Sequence, residues 1–221
     1  MTITLDDVSQ LLGVMIRGKV VTGDTDLSLE QTKKLLHRGL GIPMDKIDAE
    51  MKANKFTSRV RMNFLLKQFV GKVTDQDLHD GNGVVVKKAS TQKELQFAVR
   101  VYLLFFFGCT AFTDITGTAI PVCYLRLLLK FNEIRDYTWG AALLAYLYRS
   151  FGTATSAKVK GVLGYLTLLH AWIYEYFPRF RPFPNLNYNL SMSCTHKHSV
   201  TQLSYTNTTE ALNYTRAIHT L

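Results

Sequence analysis

The sequence predicts a mainly α protein: a single multi-helix domain with a short N-terminal β-ribbon and a poorly ordered C-terminal tail. Two observations support this fold class. Capping signals recur ahead of segments with apolar residues at helical spacing, whereas only two short segments alternate as strands do. The 221 residues, 47% of them hydrophobic, can bury one core, and no linker divides them before the tail. We therefore place one domain at residues 1–185 and a polar tail at residues 186–221.

The N-terminal region is predicted to combine one helix with two strands. Residues 2–5 alternate as a strand does, Asp6 or Asp7 can cap a helix that Gly13 ends, and residues 19–22 are β-prone. We expect the two strands to pair as a ribbon beside the helix. This layout is similar to a small winged helix-turn-helix module, but the residues that follow supply no obvious recognition helix.

The remaining helices are predicted from caps, apolar spacing and stop signals. Ser28 to Gln31 and Thr91 to Glu94 are capping boxes, and Thr138 and Ser156 are further candidate caps. These helices are predicted over 29–39, shortly after Pro43, and over 56–69, 95–107, 124–129, 139–151 and 156–177. Residues 71–90 are predicted to form an exposed loop.

Charge and composition limit the partners and the compartment. The 26 Lys and Arg exceed the 17 Asp and Glu, and the formal charge of +9 favours nucleic acid, an anionic protein or a membrane surface. The N-terminus lacks the pattern of a secretory signal peptide, so we expect an intracellular protein. The apolar stretch 97–112 is interrupted by Arg100 and is shorter than the roughly 20 residues of a spanning helix, so we expect a core helix and no membrane association. Nothing in the sequence sets the oligomeric state.

Four segments, in this order, resemble the plant mobile domain, a module of plant transposons and of host proteins related to MAINTENANCE OF MERISTEMS that is also labelled aminotransferase-like. The segments are TITLDDVSQLLGVMIRGKVVTG at 2–23, RVYLLFFFGCTAFTDITGTAIPVCYLRLL at 100–128, YTWGAALLAYLYRSF at 137–151 and LLHAWIYEYFPRFRP at 168–182. The motif residues are Gly13, Gly108, Trp139, Gly140, Tyr146, Tyr148, Arg149, Trp172 and Pro178. We expect this copy to lack a helical segment that usually precedes the first motif, and to leave the family pattern after residue 182.

The resemblance implies a nuclear protein that acts in transposon silencing, gene expression, genome stability, and meristem and root development. It also implies a phosphatase-like or chromatin protein as partner. We therefore expect a non-catalytic interaction domain of transposon ancestry.

A second hypothesis, direct DNA binding, starts from the basic residues themselves. Eight Lys and Arg lie between residues 52 and 88, against three Asp. The candidate nucleic-acid contacts are Arg59, Arg61, Lys67, Lys72, Lys87 and Lys88. Such side chains can neutralise phosphates, although a solvated face is the commoner role of a charge run.

Catalytic and metal-binding patterns are weak, so we predict no enzyme, no cofactor and no metal. Phosphatase metal motifs are not present in the sequence, and the α/β scaffold that a pyridoxal phosphate enzyme needs is not predicted. Cys194, His196 and His198 lie close together, but their spacing fits no standard zinc pattern. His170 is expected to be a hydrogen-bonded core residue. Trp139 and Trp172 are expected in the core, while the neighbouring tyrosines could pack inside or form a partner-binding rim.

Overall fold

The computed structural model describes residues 2–22, 26–54, 57–70, 77–79, 85–113, 119–156, 163–182, 184–189 and 197, with only the backbone described at residues 78, 86 and 87. The helices in these ranges are α1 Leu5–Leu12, α2 Leu29–Leu40, α3 Met44–Ala53, α4 Met62–Phe69, α5 Gln92–Phe106, α6 Tyr124–Leu127, α7 Trp139–Ala154 and α8 Leu166–Tyr176. The strands are β1 Arg59–Arg61, β2 Leu78–His79, β3 Val85–Lys87 and β4 Ala119–Pro121. A π-helical turn, Phe107–Ala111, extends α5, and 3₁₀ turns lie at Phe131–Asp136 and Pro178–Phe180. The mainly α prediction is confirmed.

Three of the helices in the described ranges begin at capping boxes. Ser28 and Thr91 cap α2 and α5 as the sequence predicts. The first helix differs, because Thr4 is its N-cap and Asp7 is the third helical residue that bonds back to the Thr4 backbone. Residues 2–4 therefore lead into a helix and do not form the predicted strand.

The predicted N-terminal ribbon is wrong for a tertiary reason. The backbone of Lys19 forms an isolated parallel bridge with Tyr137, through hydrogen bonds to the flanking residues Asp136 (2.6 Å) and Thr138 (2.8 Å). These bonds join the segment after α1 to the start of α7. The backbone N–H and carbonyl of Lys19 are thus bonded to a segment more than a hundred residues away and not to residues 2–5.

The helix predicted over 56–69 is correct only in its second half. Val60 pairs with Ile120 in the antiparallel β1–β4 ribbon, and both side chains are buried. The sequence Arg-Val-Arg alternates as a strand does, while the apolar residues that follow Met62 keep the helical period. Residues 71–90, predicted as a loop, contain the short antiparallel pair β2–β3.

The core consists of two hydrophobic clusters that meet along α7. The first is formed mainly by α2, α3, α5 and α6 and includes Leu143 of α7. The second joins α1, α7 and α8 and includes Leu144 and Leu147. Leu12 and Tyr165 pack against both clusters. Because α7 supplies residues to both clusters, it connects the N-terminal helix with the rest of the core.

Helix α5 and its π-helical turn form the central rod of the first cluster. Together, Gln92–Ala111, they are long and apolar enough to cross a membrane by length and composition. In the fold this rod packs against α2, α4 and α6. Arg100, in the middle of α5, is buried and donates hydrogen bonds to backbone carbonyls. The rod therefore has protein neighbours on several sides, but only 28% of its apolar window is buried, and Val99 and Tyr102 are exposed. The prediction of a buried core helix is correct for its inner face alone.

Near the C-terminus, α8 begins at Leu166, ten residues after the predicted Ser156 cap, and residues 157–162 lie outside the described residues. The predicted tail lies outside them too, except for residues 186–189 and Lys197.

Candidate partner-binding cleft

A surface cleft lies between α3 and the β1–α4 segment. Its volume is about 550 Å³. The lining residues are Lys46, Ala49, Glu50, Arg61, Met62, Asn63, Phe64, Lys67 and Gln68. Helix α3 turns Ile47, Glu50 and Met51 inward, which leaves Lys46 and Ala49 exposed at the edge of the cleft. The cleft thus combines cations, amides and apolar surface.

Arg61, a predicted phosphate contact, is bound within the fold. Its Nε and Nη2 atoms donate to the two carboxylate oxygens of Glu50 at 2.9 and 2.6 Å, and its backbone N–H donates to the same carboxylate at 3.3 Å. The Glu50 side chain is only 2% exposed, and this pairing raises the pKa of Arg61. Since an unpaired buried carboxylate is costly, Arg61 is first of all the counterion that ties β1 to α3.

Arg59 also bonds inside the protein. Its Nη2 donates to the backbone carbonyl of Ala119 at 3.0 Å, across the β1–β4 ribbon. The carbonyl of Arg59 in turn accepts a hydrogen bond from the Asn54 side chain at 3.0 Å. The side chain is half-buried. Arg59 therefore links the ribbon to the end of α3, a role that its position in a charge run does not reveal.

Besides Arg61, the cleft has two further exposed cations, Lys67 and Lys46. Lys67 lies on the outer face of α4, and Lys46 on α3 approaches the Gln68 side-chain oxygen at 3.5 Å. Sequence reasoning found Lys67 but missed Lys46. The only sequence signal for Lys46 is its place next to Ile47 on an amphipathic helix, and nothing local places that helix against α4.

The other predicted phosphate contacts are not placed at this cleft. Lys72 lies outside the described residues, and the side chain of Lys87 does as well. Lys88 is exposed just after β3 and does not line the cleft. Of the six candidate nucleic-acid contacts, Arg61 and Lys67 line this cleft.

Three glycines of the motifs meet two different requirements, a left-handed backbone and close packing. Gly13 ends α1 in the left-handed conformation, with φ of 66°. A Cβ on Gly140 would lie 2.8 Å from a methyl group of Ile16, and one on Gly108 would lie 2.7 Å from Ile120. These glycines set how α7 approaches the segment after α1 and how the π-helical turn approaches β4.

The aromatic motif residues of α7 are structural. The Trp139 ring stacks on Phe107 at 4.4 Å, and its Nε1 donates to the Ile134 carbonyl at 2.8 Å. Tyr146 donates to the Thr113 carbonyl at 2.6 Å. The Tyr148 hydroxyl donates to the Ile3 carbonyl, which fastens the N-terminus to α7. Of the tyrosines left open by the sequence, Tyr146 and Tyr148 thus bond a loop and the N-terminus to this helix.

The remaining motif residues lie on or near α7 and α8. Trp172 is buried in the second cluster, so the prediction of a core position is confirmed for it. Pro178 begins the 3₁₀ turn that follows α8. Arg149 is exposed on the outer face of α7.

Metal ligands do not converge in the described part of the chain. Among these residues no group of three or more His, Cys, Asp or Glu could hold a metal ion, and Cys194, His196 and His198 lie outside them. The expectation of a core His170 is wrong, because this residue is exposed and stacks on Tyr174 with ring centroids 6.2 Å apart. The buried residues Leu168, Ala171 and Trp172 lie on one side of α8, and His170 lies on the other.

Comparison with known proteins agrees with the motif order. The family model described as plant mobile domain matches residues 1–220. The chain is 33% identical to protein MAINTENANCE OF MERISTEMS of Arabidopsis thaliana over 183 residues, which are 82% of this chain and 34% of that protein. It is 34% identical to protein MAIN-LIKE 1 of the same plant, over 82% of this chain and 32% of the relative.

A third relative is named as a phosphatase homolog. The serine/threonine-protein phosphatase 7 long form homolog of Arabidopsis thaliana is 30% identical over 82% of this chain, which is 12% of that protein. The chain thus spans about a third or less of the length of these relatives. No solved structure matches. The extent of the family match and the identity to these relatives show that the chain belongs to the plant mobile domain family.

Proposed function

We propose that this domain is a non-catalytic nuclear interaction module that binds an acidic segment of a phosphatase-like or chromatin protein in the cleft between α3 and α4. Through that partner it acts in transposon silencing, gene expression, genome stability and meristem maintenance. The observation that carries the proposal is the composition of the cleft.

The cleft offers charged, polar and apolar groups that an acidic peptide segment of a partner can contact. Lys46 and Lys67 provide exposed positive charges, Asn63 and Gln68 provide amide donors and acceptors, and Phe64 adds apolar surface. An acidic side chain flanked by apolar residues would find complementary groups at each of these points.

Direct DNA binding, the alternative function, draws less support from the same surface. Binding along a duplex depends on several cations that are free to neutralise phosphates. Arg61 pairs with Glu50 and Arg59 bonds to a carbonyl, so both guanidinium groups already stabilise the fold. In the described part of the run from residue 52 to residue 88, the exposed cations are Lys52, Arg61, Lys67 and Lys88, and Arg61 is held by Glu50.

The relatives are consistent with a portable module. The matched segment makes up 34% of MAINTENANCE OF MERISTEMS, 24% of MAIN-LIKE 2 and 12% of the phosphatase 7 long form homolog. A domain that recurs within proteins of such different lengths suits a binding function that other segments exploit.

The test is affinity purification of the tagged chain from plant nuclei, with and without nuclease, followed by mass spectrometry. We expect the same protein partner in both samples, because the contact is with protein. The double variant Lys46→Glu/Lys67→Glu should lose it, since two repulsive charges would face an acidic segment.

A matched control has the same charge change elsewhere. Lys34→Glu/Lys93→Glu alters two exposed lysines on α2 and α5 that do not line the cleft. This control should keep the partner. Recovery of only nuclease-sensitive proteins, together with DNA affinity that falls steeply with salt, would favour the DNA-binding alternative. Arg61→Glu is unsuitable for either test, because it would place a second carboxylate against buried Glu50.

A further inference from the structure

Arg100 is a buried cation in the middle of α5, and it is 8% exposed. Its Nε donates to the Leu128 carbonyl at 3.0 Å, its Nη1 to the Gly39 carbonyl at 3.1 Å and its Nη2 to the Leu129 carbonyl at 2.9 Å. The Gly39 carbonyl lies in the last turn of α2, where the helix dipole is negative, and the Leu128 and Leu129 carbonyls directly follow the end of α6. The guanidinium group therefore joins two helix ends.

The charge of Arg100 is balanced only by dipoles and rings within the described residues. It forms no ion pair there, although the Phe131 ring lies 4.8 Å from its guanidinium carbon. Burial lowers the pKa of Arg100, but a guanidinium group keeps its proton in proteins. Three of its five N–H groups are used by the carbonyls, and a buried cation of this kind is stabilised by an anion.

A cavity of about 360 Å³ opens at this guanidinium group. Its lining includes four cationic side chains, one carboxylate and one tyrosine ring. The polar lining residues are Arg38, Arg100, Arg126, Lys130, Glu133 and Tyr137. Glu133 accepts hydrogen bonds from Lys130 at 2.7 Å and from Lys19 at 3.4 Å, so its charge is already compensated.

We propose that this cavity binds a phosphate monoester, the group that a phosphorylated serine or threonine of a partner presents. Guanidinium forks match phosphate oxygens in pairs, and Arg38, Arg100 and Arg126 supply three of them. The site is separate from the α3–α4 cleft, and it does not depend on the function proposed for that cleft.

The surroundings favour a single phosphate over a nucleic-acid backbone. The cations converge on one concave site, and the Glu133 and Asp136 carboxylates lie along the same 3₁₀ turn. A continuous polyanion would have to pass these carboxylates, whereas an isolated side-chain phosphate would not.

The experiment is isothermal titration calorimetry, in which the whole chain is titrated with capped phosphoserine and, separately, with capped serine at constant ionic strength. The test variant is Arg38→Gln, because Arg38 is exposed and neither a hydrogen bond nor an ion pair joins its side chain to another described residue. Lys34→Gln is the control: it removes the same charge one turn earlier on α2, away from the cavity. Both variants should keep the fold of the wild type.

We expect saturable binding of capped phosphoserine and none of capped serine. Arg38→Gln should weaken the binding by about tenfold or more, as loss of a charge-assisted hydrogen bond does, while Lys34→Gln should change it less than about twofold. Absence of saturable binding, or equal weakening in both variants, would overturn the proposal. So would a short single-stranded oligonucleotide that displaces capped phosphoserine and binds more tightly, because the site would then belong to a polymer.

Discussion

At the scale of single residues, the buried charges of this protein link elements that are distant in sequence. Arg100 joins the ends of α2 and α6, Glu50 holds Arg61 of β1, and Asp7 accepts a hydrogen bond from Tyr176 of α8. Each buried charge has its polar partners on another element, as its desolvation requires. Variants at these positions should therefore change stability more than exposed charges do.

Arg100→Met should destabilise the domain by about 2–4 kcal/mol, because methionine fills part of the space but leaves three carbonyls at helix ends without their donor. Urea unfolding followed by circular dichroism measures the change. Lys34→Met, an exposed cation on α2, should shift the free energy of unfolding by less than about 0.5 kcal/mol. Equal effects of the two substitutions would contradict the role given to Arg100.

Asp7 makes a pH-dependent contribution to stability. Burial raises the pKa of its carboxyl, but hydrogen bonds from the Tyr176 hydroxyl and from the backbone and hydroxyl of Thr4 outweigh burial and hold the pKa below its usual value. The stabilisation is then complete above the unfolded-state pKa of about 4 and is lost as the pH falls further. Between pH 5 and pH 3, urea midpoints of the wild type should fall more than those of Asp7→Asn. Parallel curves for the two proteins would argue against this linkage.

At the scale of elements, α7 is the helix on which the rest of the domain is assembled. Its first turn contacts the segment after α1, and its buried face supplies both hydrophobic clusters. Gly140 brings the helix close to this segment, since the Gly140 N–H donates to the Met15 carbonyl at 2.9 Å. The absence of a side chain at this position is a packing requirement.

Two glycines of α7 provide a matched test of that requirement. Gly140→Ala should destabilise the domain by about 1–3 kcal/mol, because its Cβ would lie 2.8 Å from Ile16 and 3.1 Å from Val8. Gly152→Ala, near the other end of the helix, meets no atom within 4 Å and should stabilise by up to about 1 kcal/mol through helix propensity. Thermal unfolding of both variants gives the comparison, and a neutral Gly140→Ala would show that the segment can move away without cost.

At the scale of the whole molecule, the two clusters share a helix and should unfold together. The chain has two tryptophans, and they report on different clusters: Trp139 packs against the first, and Trp172 lies in the second. Because Leu143 and Leu144 are neighbours on α7 but belong to different clusters, loss of one cluster removes the support of the other.

Single-tryptophan variants can test this coupling. In Trp139→Phe the remaining fluorescence comes from Trp172, and in Trp172→Phe it comes from Trp139. Within each variant, the urea midpoint from fluorescence should coincide with the midpoint from circular dichroism, as a two-state transition requires. An earlier fluorescence transition in the Trp139→Phe protein would mean that α1 and α8 separate from the core first.

The features that the sequence predicted correctly depend on residues that lie close together in the chain. The capping boxes at Ser28 and Thr91 began helices as predicted, since a cap needs only residues three positions apart. The order of the motifs also identified the family, which the family model confirms. Tertiary structure decided the features that depend on distant partners. Lys19 bonds to the segment before α7 instead of to residues 2–5, and Val60 pairs with Ile120 in a strand.

For the candidate sites, too, the sequence predicted the charges, and the tertiary structure decided their partners. The charge run predicted a basic surface. In the structure Arg61 pairs with Glu50, and Arg59 donates to the Ala119 carbonyl. Lys46, which lies on another helix, lines the cleft. The cavity at Arg100 combines residues from four segments. A sequence fixes which charges exist and which helices can form. Where a buried charge finds its counterpart is decided by packing, because desolvation is compensated only by groups that the fold brings into contact.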